Sequence, residues 1–239
     1  MDTILFDLDG TLLPLDMDTF MEAYFRELSL KCAPLGYEPR LLVQAVLVGL
    51  EAMQSNDGTL SNEERFFDAA SALLGDGVRR HKPIFREFYL NEFQRVKDAA
   101  CRPTPLAAKT IETLKGKGYD LVLATNAIFP REATFARVQW AGLNPHDFSL
   151  ITTYEDFTYA KPNLGYYREI LARIGKRPQD CLMVGNDVAE DMCAGELGME
   201  TFLITDCLIN KDGVDITQFT HGTFADFYQF VLDLPAVEN

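Results

Sequence analysis

Five short apolar stretches constrain this chain more than any other feature: residues 3 to 8, 120 to 124, 149 to 153, 181 to 185 and 200 to 204. Each has the length of a strand and is too continuously hydrophobic to keep one face in water, the pattern of parallel strands buried on both sides. From the second onward, a helical pattern separates each pair. Thr104-Pro105 supplies a cap and a first-turn proline for a helix with Ile111 and Leu114 on its apolar face, stopped by Gly118. The next runs from about Pro130 to Ala141 and ends at Gly142. A third carries Ile170, Leu171 and Ile174 up to Gly175, and a fourth follows Val188 and ends near Gly198. This repetition predicts an α/β fold, a doubly wound parallel sheet covered by helices on both faces.

The alternation stops for roughly ninety residues between the first strand and Thr104. Apolar residues there recur at helical spacing: Phe20, Tyr24, Phe25 and Leu28; Leu42, Val46 and Leu50; Phe66, Phe67, Ala70 and Leu74; Phe85, Phe88, Tyr89 and Phe93. Turn-like stretches at Pro34 to Pro39, Ser55 to Ser61 and Gly75 to Gly77 divide them, so a four-helix insert is expected. The predicted division is a core of residues 1–15 and 101–239 and a helical domain of residues 16–100. Thr223 to Leu234 reads as one more amphipathic helix, capped by Thr223.

A formal net charge of -14 argues against nucleic acid or anionic lipid as partner, since both reward clustered Lys and Arg. The same charge opposes a phosphorylated ligand unless a metal ion or a positioned Lys overcomes the field locally. Cys32, Cys101, Cys181, Cys193 and Cys207 are odd in number, widely spaced and free of any C-x-x-C pair, so they read as buried hydrophobes and not as a disulfide or zinc framework. The acidic N-terminus does not read as a signal peptide and no long apolar run follows, so a cytoplasmic location is expected.

Chemistry concentrates at strand ends, where open α/β sheets place their ligands. Asp7-Leu8-Asp9-Gly10-Thr11-Leu12 follows the first strand directly. Two carboxylates at i and i+2 beside a buried strand are costly unless a cation or ligand uses them, although an Asx-type turn is the simpler reading of a bare D-x-D. Gly10 allows a sharp turn close to an oxyanion. Thr125-Asn126 follows the second strand and alone would be a helix cap. Lys161-Pro162 follows the third, where a lone Lys is ordinarily a solvated charge. Gly185-Asn186-Asp187-Val188-Ala189-Glu190-Asp191 follows the fourth, and on a helix Asp187 and Asp191 would share one face.

In this order the four elements resemble the haloacid dehalogenase-like hydrolase superfamily, with its D-x-D-G-T, Thr or Ser, Lys and acidic-cluster motifs. The resemblance covers the core, and the insert is similar to that superfamily's small helical cap, as in phosphoglycolate phosphatase-like members. It implies a Rossmann-like core and a phosphoric monoester hydrolase acting on a small phosphorylated metabolite. It further implies Asp7 as nucleophile, Asp9 as general acid and base, and Gly10, Thr11, Thr125, Asn126 and Lys161 as phosphate-binding residues. A Mg2+ cofactor would be held by Asp7, Asp9 through its backbone carbonyl, and Asp187. Asn186 stands where the family commonly has its acidic residue, so Asn186 or Asp187 could contact the metal; Asp187 is preferred for its charge and its spacing to Asp191. Asn186 and Asp191 are the alternative or supporting groups, and Asn186 could hydrogen-bond Lys161.

A carboxylate attacking a phosphate dianion at ~4 Å faces roughly 8 kcal/mol of repulsion at an effective dielectric near ~20, so cationic assistance is required. Asp9 favours phosphoryl transfer over the dehalogenase branch, which attacks carbon and needs no acid two residues beyond the nucleophile. A phosphomutase on the same core is one alternative. A non-enzymatic phospho-Asp switch is another, though such a domain would be shorter and would accept phosphate on a middle strand. His81, His146 and His221 read as surface or packed residues, Trp140 as core, and Arg26, Lys31, Arg40 and Arg65 as solvated helix faces.

Overall fold

In the computed structural model, which describes residues 1–237, six strands form one parallel sheet. They are β1 (Thr3–Phe6), β2 (Asp120–Leu123), β3 (Leu150–Ile151), β4 (Cys181–Gly185), β5 (Glu200–Ile204) and β6 (Thr220–Gly222). Their spatial order is β3-β2-β1-β4-β5-β6. Every residue of β1 is buried, with Ile4 and Phe6 packed on one face and Leu5 on the other. That explains its unbroken hydrophobicity: each such side chain contributes roughly 1.5–3 kcal/mol when removed from water. The five expected strands are present, with ends trimmed by a residue or more in the first three. β6 was missed because its three residues, Thr-His-Gly, are largely exposed at the sheet edge and carry no apolar run.

Between β1 and β2 lie α1 (Met17–Cys32), α2 (Pro39–Gln54), α3 (Asn62–Leu74), α4 (Lys82–Leu90) and α5 (Gln94–Ala100). Five helices therefore stand where four were expected. The last pattern breaks at Asn91, whose backbone leaves the helical region (φ -121, ψ -81) while its side-chain amide donates to the Glu87 carbonyl. The sequence around Gly75 to Gly77 enters a 3-10 turn, Asp76–His81, in place of a simple loop. α3 begins with a reciprocal capping box between Ser61 and Glu64. The two connections to the sheet run side by side: the Asp16 amide donates to the Ala100 carbonyl, and the Arg102 amide donates to the Pro14 carbonyl.

The remaining helices are α6 (Pro105–Gly116), α7 (Arg131–Trp140), α8 (Leu164–Ile174) and α9 (Phe224–Asp233). α6, α7 and α9 pack with the Ile4 and Phe6 face, and α8 with the Leu5 face. The insert joins the first of these cores, where Phe93 of the α4–α5 junction lies 4.7 Å from the Trp140 ring, centroid to centroid. The helix expected after Val188 is only a 3-10 turn, Met192–Leu197, because the preceding amides of Ala189 and Glu190 bond to the Asp187 side chain. All five cysteines are free, and no described helix is long and apolar enough to cross a membrane.

Candidate active site

The chain turns its winding direction at β1. β2 and β3 lie to one side of it, while β4, β5 and β6 lie to the other, so the crevice at the carboxyl ends of β1 and β4 is the switch point. Asp7 is the first residue past β1, and its amide still donates to the Val184 carbonyl of β4 at 2.9 Å. Its side chain is held from two directions. The Lys161 ammonium donates to Asp7 Oδ1 at 2.9 Å, and the Thr11 hydroxyl donates to Asp7 Oδ2 at 3.3 Å.

Lys161 is fully buried and also donates to Asp191 Oδ1 at 2.6 Å. Burial alone would lower the affinity of Lys161 for its proton, but Asp191 and Asp7 outweigh it and hold its pKa well above the usual value. Burial pushes the Asp7 carboxyl up to about 7; the Lys161 charge opposes this, and Asp191 and Asp9 add to it. Lys161 thus stands behind Asp7 as a fixed cation, not as a solvated surface charge.

Asp9 pairs through Oδ2 with the guanidinium of Arg137 on α7, while its Oδ1 is buried with no hydrogen-bond partner among the described residues. Burial raises the Asp9 pKa against the opposing charges of Arg137 and Lys161. Arg137 is itself buried, lies 4.2 Å from the Phe129 ring centroid and donates through Nε to the Ala133 carbonyl. Sequence reasoning missed it. Its signal was an arginine four residues after Ala133 and three before Trp140, on the face of α7 that is otherwise apolar.

Gly10 has φ +89, and a Cβ there would lie 2.4 Å from Asn186 Nδ2, so the turn requires glycine for both conformation and space. Gly10 and Thr11 do not line the cavity. Their amides donate to the Leu13 and Leu8 carbonyls, bonds that close the turn after β1. Asn186 does not reach Lys161: its Oδ1 accepts from Thr11 at 3.0 Å, and its Nδ2 donates to the Cys207 carbonyl at 2.6 Å. Asp187 and Asp191 do not share a helix face either. Asp187 Oδ1 accepts the Ala189 and Glu190 amides, and Asp191 Oδ2 accepts the Asp187 amide at 2.9 Å.

Thr125 and Asn126 are not a helix cap; α7 begins after Pro130. The Thr125 carbonyl accepts the Tyr166 hydroxyl at 2.7 Å. Asn126 Oδ1 accepts the Lys161 amide at 3.1 Å, and its Nδ2 donates to Glu190 Oε2 at the same distance, which ties three strand-end loops together. Burial pushes Glu190 up to about 7 against the pull of Lys161. The histidines take no part: none lines the cavity, and His81 bonds the Tyr37 hydroxyl.

A cavity of about 260 Å³ opens over these residues, walled by the strand-end loops below and by α1 to α4 above. Its donors are hard oxygens, and the orphaned Asp9 Oδ1 among several carboxylates is an environment that suits a cation such as Mg2+. Among the described residues no three acidic, His or Cys side chains are yet spaced as a closed metal cage, so such an ion would need backbone oxygen or water as well.

The family model for haloacid dehalogenase-like hydrolases matches residues 1–197. The chain belongs to the haloacid dehalogenase-like hydrolases. Among its relatives in this family is a glyceraldehyde 3-phosphate phosphatase of Methanothermobacter thermautotrophicus, 30% identical over 66% of this chain and 70% of that protein. Another is a phosphoglycolate phosphatase of Aquifex aeolicus, 26% identical over 85% of this chain and 84% of that one. A crystal structure of the HAD-hydrolase YfnB from Bacillus subtilis, bound to magnesium and said to reveal interdomain movement, has the same fold, with a TM-score of 0.55, 21% identity and coverage of 96% of this chain and 97% of that one. The enzyme class expected from the motifs, a phosphoric monoester hydrolase of this family, agrees with the names of these relatives.

Proposed function

We propose that this haloacid dehalogenase-like hydrolase cleaves a small phosphomonoester by transferring the phosphoryl group to Asp7. The observation that carries the reading is the placement of Asp7 at the floor of the cavity, backed by the buried Lys161 ammonium, with Asp9 and its unpartnered Oδ1 two residues away. A carboxylate so oriented is a nucleophile with no rotational search left to make.

In the first step an Asp7 carboxylate oxygen attacks phosphorus and the bond to the ester oxygen breaks. Asp9, whose raised pKa favours the neutral form, gives its proton to the departing alkoxide. In the second step Asp9 takes a proton from water, the water oxygen attacks phosphorus, and the acyl phosphate bond breaks to release inorganic phosphate and restore Asp7. Arg137 stabilises the Asp9 carboxylate that exists between the two steps. Lys161 offsets the charge brought together at Asp7 and also anchors Asp191, while Thr125 and Asn126 face the transferring group. Mg2+, held by Asp7, the Asp9 backbone carbonyl and Asp187, would supply further neutralisation of the phosphoryl oxygens. The helical insert of residues 16–100 acts as a cap hinged at the paired connections near 14 to 17 and 98 to 103, and its closure excludes water.

The test is phosphate release from a panel of phosphomonoesters with Mg2+ and again with chelator. Magnesium-dependent, continuing release is expected. Folded protein that releases none from any member would contradict the reading and favour a phosphomutase or a phospho-Asp switch.

A further inference from the structure

The cavity over Asp7 has two unlike halves. Every charged side chain on its wall comes from the sheet side: Asp7, Asp9, Asp187, Glu190, Asp191 and Lys211. From the insert come side chains such as Phe20, Leu42, Val46, Phe67, Leu74 and Phe85, and not one Lys, Arg, His, Asp or Glu. None of the insert's cationic side chains lines the cavity, and most of them pair with carboxylates elsewhere. Lys31 pairs with Glu87 and Glu92, and Arg65 pairs with Asp57; neither lines the cavity, nor do Arg26 and Arg40. The two tyrosine hydroxyls at the upper wall, Tyr24 and Tyr89, bond each other at 2.8 Å.

These observations decide what kind of leaving group fits. A carboxylate or second phosphate on the substrate would meet no cation on the insert's wall and only the exposed Lys211 on the sheet side, inside a chain of net charge -14. Several sugar hydroxyls would lose water and find on the insert only Gln54 and the two mutually bonded tyrosines, and unpaired groups discriminate strongly against a ligand. An alkyl, alkenyl or aryl group loses nothing and gains contact. Resting on the phosphatase reading above, we infer that the natural substrate is the phosphate monoester of an apolar alcohol, its hydrocarbon part lying against α1, α2 and α3 and its phosphate on Asp7. The wall is continuous with the reacting groups, so the occupant of the apolar half is covalently tied to the phosphate at the other.

The test is a series of methyl, butyl, hexyl and octyl phosphate, assayed below micelle-forming concentrations with glycerol 3-phosphate as a polar counterpart of butyl phosphate. From butyl onward the intrinsic reactivity of the ester changes little, so any trend reports the wall. The expected result is a kcat/KM that rises about four-fold per added methylene until the cavity is filled, the factor that about 0.8 kcal/mol per buried CH2 gives, carried mainly by KM. Butyl phosphate should exceed glycerol 3-phosphate by at least about ten-fold. Ala45→Phe, which adds bulk to the wall, should move the optimum to shorter chains; the parent series decides even if that variant does not fold. Release of phosphate with no dependence on chain length, or with glycerol 3-phosphate preferred, would overturn the inference and leave the phosphatase reading intact. Should no ester be cleaved, that reading fails instead, and binding settles the inference. Octylphosphonate raising the melting temperature more than methylphosphonate supports it, and equal or absent shifts overturn it.

Discussion

The floor and the roof of the cavity were built from the same chain by opposite rules. On the floor, three carboxylates and two cations, Asp7, Asp9, Asp191, Lys161 and Arg137, are packed where charge is expensive, and nearly every polar atom is committed to a partner. On the roof, α1 to α4 bury aromatic and aliphatic side chains, and the hydroxyls of Tyr24 and Tyr89 bond each other. On the proposed reading, reactivity would follow from the balance of charge at the sheet's switch point, and choice of substrate from the shape and polarity of the helical insert.

Substitutions can break this contrast, and the largest effect belongs to the floor. Asp7→Asn keeps the shape and the hydrogen bond from Lys161 but removes the nucleophile, so kcat should fall by at least ~10³-fold with folding retained, as followed by phosphate release and far-UV circular dichroism. Asp9→Asn should lower kcat for an alkyl phosphate by ~10²–10⁴-fold. In the first step alone, followed by pre-steady-state release of the alcohol, the loss should be much smaller for 4-nitrophenyl phosphate, whose leaving group needs no proton; equal losses in that step would remove Asp9 from its role as acid.

Arg137→Leu leaves the buried Asp9 carboxylate without its cation, and urea denaturation should show a loss of roughly 3 kcal/mol. Asp7 itself has the opposite sign. Its folded-state value, about 7, stands above the ordinary 3.8, so between these values the folded protein holds a proton that the unfolded chain has released, and stability falls as pH rises through that window. Asp7→Asn escapes this. In chelator, its advantage over the parent should be small below the ordinary value and grow to at most about 4 kcal/mol above the raised one. On the roof the effects are smaller. Tyr24→Phe strands the Tyr89 hydroxyl and should lower stability by about 1 kcal/mol, measured the same way.

The floor was more legible in the sequence than the roof, and for a physical reason. Buried parallel strands must be continuously apolar, so the residues at or just past their ends, Asp7, Thr125 and Gly185 onward, are marked by position as well as by type. Lys161 follows the shortest strand and its burial could not be read, because a lysine in a loop is locally indistinguishable whether or not two aspartates converge on it. Arg137 was hidden for a related reason: on an amphipathic helix arginine reads as solvent-facing, and only its register with Ala133 betrays it. The supposed Asp187–Asp191 face failed because a side chain that caps its own following amides diverts the backbone from the helix the spacing assumed. In the insert, helical periodicity gave the apolar faces and the helices apart from the break at Asn91 that divides the last one. It did not show that the faces enclose a cavity, since a packed core and a pocket wall have the same composition.

The most direct measurement of the central claim is intact-protein and peptide mass spectrometry after rapid acid quench during turnover of a good ester with Mg2+. One added phosphoryl group is expected on the peptide that carries Asp7, lost on hydroxylamine treatment and absent from Asp7→Asn. Sustained turnover with the phosphoryl group on another residue, or undiminished turnover by Asp7→Asn, would contradict it.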